Sequence, residues 1–293
     1  MYDFGYEGKI AVVTGAANGI GKAVAEELVK QGAKVYAMDL RDIEVEGIEK
    51  AIHVDLSDRE SIDKAFAEVP EHIESLFLVA GVSAFSVSGI TSIRVNFLSH
   101  KYICEKLMPG RMQKGDAICI VSSASATEWL KDENLKWIVA AVNEEDWDAS
   151  EAEFVKLGVT HLPCSIGYPL AKMALNLEVA RLQGILAAKG IRVNILSPGH
   201  TETNIGCEDG EANKSESTVG ARRAYNGYAE KGAEPVEMAY PILFLNSTLA
   251  SYVSGALLDV DYGTTLEVYG KMRPNVIGPD LDSYFGYFKT VQF

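Results

Sequence analysis

Short runs of β-branched and other apolar residues alternate along this chain with stretches in which apolar positions recur every three or four residues. The first run is "KIAVVT" (9–14). In "KAVAEELVKQGA", which follows a group of glycines, Val24, Leu28 and Val29 recur at helical spacing and Gly32 stops the helix. "KVYAMD" (34–39) is a second strand, so residues 9–39 predict a βαβ unit. The rhythm then repeats. "AIHVDL" (51–56), "SLFLVAG" (75–81), "DAICIVSS" (116–123), "IRVNILSPG" (191–199) and 256–260 read as strands. "RESIDKAFAEV" (59–69), 91–108, 167–189 and 235–245 read as helices. The strands are apolar almost continuously rather than at alternate positions. A strand of that kind is covered on both faces, and strands that alternate with helices run parallel. The pattern predicts an α/β fold, a doubly wound parallel sheet with helices on both faces, in a single domain spanning 1–293.

Four segments break the rhythm. Residues 40–50 are close to the shortest length for a crossover, which predicts a short or irregular helix. Residues 124–166 are an insertion between the fifth strand and the following helix, and they hold all three tryptophans, Trp129, Trp137 and Trp147. Leu135, Ile138 and Val142 share one helical stripe and Phe154 and Leu157 another, so the insertion predicts two short packed helices rather than a solvated linker. Residues 200–233 carry Gly206, Gly210, Gly220, Gly227 and Gly232, as a mobile lid would. The tail, 264–293, carries Tyr269, Tyr284, Phe285, Tyr287, Phe288 and Phe293, aromatic surface that calls for a packing partner.

Composition narrows the function classes. A hydrophobic content of 47% over 293 residues supplies a sizeable core. A net charge of -14 argues against nucleic acid or an anionic membrane as partner, because both attract basic surfaces. Cys104, Cys119, Cys164 and Cys207 are scattered without a C-x-x-C pair, so no metal site is expected. The start, "MYDFGYEGKI", lacks the apolar segment of a secretion signal, and no apolar run reaches membrane-spanning length. A cytoplasmic protein acting on a small molecule is expected.

"TGAANGIG" (14–21) lies between the first strand and the first helix. Glycines there let the backbone turn tightly and approach a pyrophosphate, and the helix start presents free N–H groups with partial positive charge. Asp39 ends the second strand about twenty residues on, where a carboxylate accepts from adenosine ribose hydroxyls and repels a 2′-phosphate. No Arg or Lys lies between Gly15 and Gly21 to hold such a phosphate. NAD is the expected cofactor, and Arg41 is the residue that leaves NADP open.

Spaced G-x-x-x-G-x-G (Gly15, Gly19, Gly21), the loop resembles that of the short-chain dehydrogenase/reductase family. The likeness runs from about residue 8 to 263 outside the insertion. It implies a Rossmann-like sheet with a nicotinamide cofactor held by Gly15, Asn18, Gly19, Ile20, Gly21 and Asp39. By the same resemblance Asp55 and Leu56 meet adenine, Ala80 and Gly81 admit the cofactor, and Pro198, Gly199 and Thr203 meet the nicotinamide amide. Where the family usually has N-N-A-G, this chain has Leu78, Val79, Ala80 and Gly81, so the bracing those asparagines give must come from elsewhere.

A tyrosine and a lysine four positions apart occur twice, as Tyr168 with Lys172 and as Tyr102 with Lys106. Chance alone supplies roughly one such pair in a chain of this size. The resemblance selects the first. It implies that Tyr168 exchanges a proton with the substrate oxygen as hydride moves between nicotinamide and the carbonyl carbon. A free tyrosine titrates near 10, and a lysine one helical turn away favours the phenolate. The resemblance also implies that Ser123 positions the oxygen, that Asn96 holds a water linking Lys172 to solvent, and that Tyr168 and Lys172 both lie against the cofactor. Tyr102 follows no serine-tipped strand and reads as packing. Pro169 is tolerated in a first helical turn, which predicts a helix starting close to Tyr168.

The insertion, "MDLRD" and "EPVEMAYPILFLNSTLASYVSGA" resemble the bacterial 3α-hydroxysteroid dehydrogenase/carbonyl reductase group. That likeness implies an NAD-dependent exchange of secondary alcohol and ketone, with a hydroxysteroid, bile acid or similarly bulky apolar alcohol as substrate. A small non-steroid alcohol or carbonyl is the alternative. A non-catalytic NAD-binding redox sensor would show a lost tyrosine, lysine or serine, and none is lost. Enoyl reductases of the family usually space tyrosine and lysine more widely, and epimerases usually carry a longer substrate domain. The family commonly forms tetramers through the helices bearing Asn96 and Tyr168. The insertion either walls the substrate pocket or covers that face, so a homo-oligomer is expected, a dimer before a tetramer.

Overall fold

The apolar runs form strands whose alternate residues enter two separate cores. Val12, Leu76 and Ile118 belong to one cluster, and their neighbours Val13, Phe77 and Cys119 belong to the other. That explains the lack of polar alternation: neither face of these strands meets water. The computed structural model describes residues 3–83, 87–160, 164–203, 231–274 and 281. Its seven strands are β1 (Ile10–Thr14), β2 (Lys34–Asp39), β3 (Lys50–His53), β4 (Ser75–Leu78), β5 (Ala117–Val121), β6 (Arg192–Pro198) and β7 (Leu257–Val260). They form one sheet in the order β3-β2-β1-β4-β5-β6-β7, and every neighbouring pair is parallel. Helices α1 (Gly19–Lys30) and α2 (Arg59–Ala67) follow β1 and β3. Residues 89–107 form α3, 132–143 and 147–156 form α4 and α5, and α6 is Cys164–Leu186. Pro235–Asn246 is α7 and Thr264–Tyr269 is α8.

Three details differ from the sequence reading. Residues 40–49 contain turns and bends but no helix, so β2 reaches β3 without a helical crossover. The third helix is not uniform. Its α-helical pieces Gly89–Ile93 and Ser99–Tyr102 alternate with π-helical Arg94–Leu98 and Ile103–Leu107. The helix bearing Tyr168 starts at Cys164, so Pro169 sits inside it rather than in its first turn. An interior proline costs a helix about 3 kcal/mol. Tertiary packing offsets that cost, since α3 and α6 meet here backbone to backbone: a Cβ on Gly167 would lie 2.9 Å from the Gly89 Cα.

The insertion forms the two expected helices, and both pack on the sheet-covering layer. Ile138, Val142 and Phe154 are buried in the larger core, with Leu135 and Leu157 partly buried beside it. The helices rest on α3 and α6. Arg94 of α3 grips Glu151 of α5 through two 2.7 Å hydrogen bonds. Lys101 Nζ donates to the Val142 carbonyl at 2.9 Å, and the Phe97 and Phe154 rings meet edge-on at 5.6 Å. Most of the glycine-rich 200–233 segment, and the tail aromatics from Tyr284 onward, lie outside the described residues. The two ends of that segment are joined, with Thr201 bridged to Ala233 and Glu202 N–H donating to the Ala233 carbonyl at 2.8 Å. In the tail, Leu281 is fully buried in the larger core.

Candidate active site

β1 passes to β2 on one side of the sheet, while its other neighbour, β4, passes to β5 on the opposite side. The crevice beyond the carboxyl ends of such a pair is where ligands of doubly wound sheets sit. The glycine loop fills one wall of it. Gly15 has φ +75° and Gly19 φ +56°, both in the left-handed region. A Cβ on Gly15 would lie 2.7 Å from the Ala80 Cα, and one on Gly21 would lie 2.1 Å from the Gly15 carbonyl oxygen. Only glycine fits these two positions. Asn18 caps α1, its Oδ1 accepting from Gly19 N–H at 2.7 Å, and Ile20 packs beside the smaller core. Thr203 arrives from beyond β6, its methyl carbon 3.1 Å from the position a Gly19 Cβ would take.

Asp39 lies against this loop. Its carboxylate accepts from Ala17 N–H at 3.0 Å and from Arg41 N–H at 2.9 Å. The Arg41 side chain is mostly exposed, with Nε 3.7 Å from the same carboxylate. At the end of β3, the Asp55 carboxylate accepts from the Ser57 N–H and hydroxyl at 2.8 and 2.7 Å. The Leu56 side chain is buried in the core, so towards the crevice this residue has its backbone to offer. Across the site, Gly199 N–H donates to the Val260 carbonyl at 3.0 Å, which fixes the turn after Pro198.

The missing asparagines of the fourth strand have replacements that the sequence did not reveal. Thr14 Oγ1 accepts from the N–H groups of Val79 and Ala80 at 3.1 and 3.2 Å. The Asn96 amide brackets Val82, accepting from its N–H and donating to its carbonyl, each at 3.2 Å. Asn246 of α7 ties the other ends of β4 and β5 together by donating to the Leu76 and Ala117 carbonyls at 3.0 and 3.1 Å. Thr14 could have been suspected, because it opens the glycine motif. Asn246 lies far along the chain and carried no signal.

Asn96, Lys172 and Tyr168 converge at the ends of β4 and β5. Asn96 sits in a π-helical turn, a feature frequent at functional sites. A Cβ on Gly81 would be 2.9 Å from Asn96 Oδ1 and 3.7 Å from Lys172 Nζ. Lys172 is buried and donates to the Val121 carbonyl at 2.9 Å, two residues before Ser123. Its Nζ lies 5.7 Å from the centre of the partly buried Tyr168 ring. Ser123 is partly buried, and its Oγ accepts from Ser125 N–H at 3.1 Å, capping a short turn. Burial pushes the Lys172 ammonium down to about 7. A positive charge beside a phenol favours its phenolate. Tyr102 has another role: its hydroxyl donates to Asp63 at 2.7 Å and its ring meets Trp147 edge-on at 6.0 Å. It anchors the insertion.

Among the described residues no helix is long and apolar enough to cross a membrane. Residues 9–132 match the short chain dehydrogenase family, and residues 157–265 match the family described as enoyl-(acyl carrier protein) reductase. The chain is 29% identical over 277 residues to a 3-alpha-hydroxysteroid dehydrogenase/carbonyl reductase of Comamonas testosteroni, covering 90% of this chain and 98% of that one. It is 31% identical over 293 residues to an uncharacterized oxidoreductase of Bacillus subtilis (strain 168), covering 91% and 94%. Among solved structures, its fold is similar to a 3-alpha-hydroxysteroid dehydrogenase from Pseudomonas sp. B-0831 complexed with NADH. That match has TM-score 0.74 and 24% identity and covers 90% of this chain and 99% of the other. A gluconate 5-dehydrogenase described as NAD(P) dependent, from Beutenbergia cavernae with bound NADP, matches with TM-score 0.67 and 24% identity over 90% and 100%.

Proposed function

The chain belongs to the short-chain dehydrogenase/reductase family and is an oxidoreductase, and from that premise we propose that it uses NAD to interconvert a bulky apolar secondary alcohol, a hydroxysteroid or bile acid, and its ketone. One observation carries this reading. A buried lysine lies 5.7 Å from the Tyr168 ring, at the same end of the sheet as the glycine loop. In the proposed reaction Tyr168 holds the proton that the substrate oxygen gains or loses. Lys172 lowers the cost of the phenolate by its charge. Ser123 donates to the substrate oxygen, and Asn96 keeps the β4 end in place around Lys172.

The loop residues fit a dinucleotide. Gly15, Asn18, Gly19, Ile20 and Gly21 would hold its pyrophosphate, because Gly15 and Gly21 leave no room for a Cβ and so bring the turn after β1 onto the start of α1, where N–H groups can meet an anion. Asp39 would take the adenosine ribose, with Asp55, Leu56, Ala80, Gly81, Pro198, Gly199 and Thr203 along the remainder. Bound there, the nicotinamide supplies the hydride acceptor or donor. The Asp39 carboxylate, and the absence of Lys and Arg between Gly15 and Gly21, support NAD over NADP. The names of two relatives support a steroid-sized substrate. The insertion lies on α3 and α6, which supports a dimer that does not use those helices. The buried free thiols of Cys104 and Cys119 support a reducing, cytoplasmic location.

The test is a panel of hydroxysteroids, bile acids and small alcohols, each offered with NAD and with NADP while reduced nicotinamide is followed by absorbance. Hydroxysteroids with NAD are expected to give the highest kcat/KM. Activity confined to small alcohols removes the steroid reading. Tight NAD binding without turnover of any alcohol or ketone supports a redox sensor instead.

A further inference from the structure

The segment that follows β7 reaches across to the turn that carries Ser123. Asp261 is buried, and its carboxylate accepts from Gly263 N–H at 3.0 Å and from Thr265 N–H at 2.6 Å. The Thr264 hydroxyl donates to the Asp261 carbonyl at 3.0 Å. These bonds fix the start of α8 and hold the buried Thr265 against the first residues of the insertion. Thr265 Oγ1 lies 3.4 Å from Thr127 Oγ1. Thr127 donates its hydroxyl proton to the Ala124 carbonyl at 2.5 Å, and its N–H donates to the same carbonyl at 3.0 Å. With that proton committed, Thr265 is the donor between the two hydroxyls. Ala124 and Thr127 belong to the turn that Ser123 opens. Ser123 Oγ accepts from Ser125 N–H at 3.1 Å, and the Ser123 carbonyl accepts from Ala126 N–H at 2.9 Å.

A second contact joins the same two segments. Glu128 has φ +67°, in the left-handed region that residues with a side chain seldom enter. Such a conformation persists where surrounding contacts fix it. The Asn134 amide donates to the Glu128 carbonyl at 3.0 Å, and the Glu128 backbone hydrogen-bonds the Tyr269 hydroxyl at the end of α8. Asp261 also abuts the turn after Pro198, since a Cβ on Gly199 would lie 2.8 Å from the Asp261 Cβ. One residue thus touches the loop proposed to meet the nicotinamide and, through Thr265, the turn proposed to meet the substrate oxygen.

We propose that Thr265, held by Asp261, is a positioning residue for Ser123, acting through its hydroxyl on Thr127. A serine oxygen that accepts from Ser125 N–H still has its own proton to give, and the shape of the turn decides where that proton points. Removing the Thr265 hydroxyl takes from Thr127 its donor on α8 and lets the turn drift. A misplacement of this kind costs rate rather than cofactor affinity, because the glycine loop follows β1, apart from this turn.

The inference rests on the role proposed for Ser123, so one arm of its test needs no turnover. Hydrogen–deuterium exchange followed by mass spectrometry is expected to show residues 122–128 exchanging about tenfold faster in Thr265→Val than in the unsubstituted protein, with β1 unchanged. Equal exchange overturns the inference. In the second arm, on the alcohol that performs best in the panel, Thr265→Val is expected to lower kcat about tenfold with the dissociation constant for NAD within about twofold. Thr265→Ser keeps the hydroxyl and is expected to recover most of that loss. In a Ser123→Ala background, Thr265→Val is expected to cost less than about twofold, because the group it positions is gone. A tenfold loss repeated there, or no loss with Ser123 present, overturns the inference too. If Thr265→Val does not fold, Thr127→Val removes the other half of the contact and is judged by the same results. If Ser123→Ala keeps full turnover, the role given to Ser123 fails, while exchange still judges whether Thr265 fixes the turn.

Discussion

Tyr168→Phe is expected to lower kcat by on the order of 10³-fold while leaving the dissociation constant for NAD within about twofold. The ring stays, and with it the packing at the fifth residue of α6. The hydroxyl goes, and no other described group can serve at the same place. Lys172 is buried with one N–H on the Val121 carbonyl, and Ser123 Oγ is a weak acid that also caps its own turn. A substrate oxygen that must gain a proton as hydride arrives would depend on water. A 10³-fold loss corresponds to about 4 kcal/mol of transition-state stabilisation, within the range for one positioned acid or base. Steady-state kinetics together with an NAD titration by fluorescence separates the two quantities. A variant that keeps most of its turnover overturns the assigned role.

Gly21→Ala is expected to weaken NAD binding by about 100-fold or more, roughly 3 kcal/mol, through geometry alone. The added methyl would lie 2.1 Å from the Gly15 carbonyl oxygen and 3.1 Å from that of Thr14. Both are backbone atoms, so neither can swing aside as a flexible side chain would. The start of α1 must therefore move away from the turn after β1, and the N–H groups proposed to face the pyrophosphate move with it. Gly184→Ala is the control. Its Cβ meets nothing within 4 Å, and it lies late in α6, away from the loop. Isothermal titration of the two variants is expected to show the loss in Gly21→Ala only. Equal affinities would mean that the loop does not grip the dinucleotide.

The parts of this molecule legible from its sequence are those set by local rules. The strands could be read because both their faces are buried, which leaves no polar alternation in Val12–Val13 or Leu76–Phe77. The glycine loop could be read because left-handed turns and sub-van-der-Waals spacing exclude side chains at fixed positions. Tyr168 was separable from Tyr102 only by its neighbours, and the structure explains why, since Tyr102 spends its hydroxyl on Asp63. Other features depend on contacts between distant segments. The π-helical turns at Arg94–Leu98 and Ile103–Leu107 leave the apolar pattern of α3 almost unchanged, so periodicity did not register them. Pro169 signals a helix start by local rules, yet the close packing of Gly167 on Gly89 extends the helix back to Cys164. The bracing of β4 moved from its own asparagines to Thr14, Asn96 and Asn246, which only the folded chain brings together.

The central claim is that this site moves hydride directly between a carbinol carbon and a bound nicotinamide, with Tyr168 handling the proton. One measurement tests it most directly. The secondary alcohol that performs best in the panel is prepared with deuterium at its carbinol carbon and oxidised with NAD in ordinary water, and the reduced cofactor is analysed by mass spectrometry and proton NMR. The account predicts one deuterium per reduced nicotinamide, on a single face of the ring, with no signal above background in Tyr168→Phe. Deuterium released to solvent, or oxidised product formed without reduced nicotinamide, would contradict it.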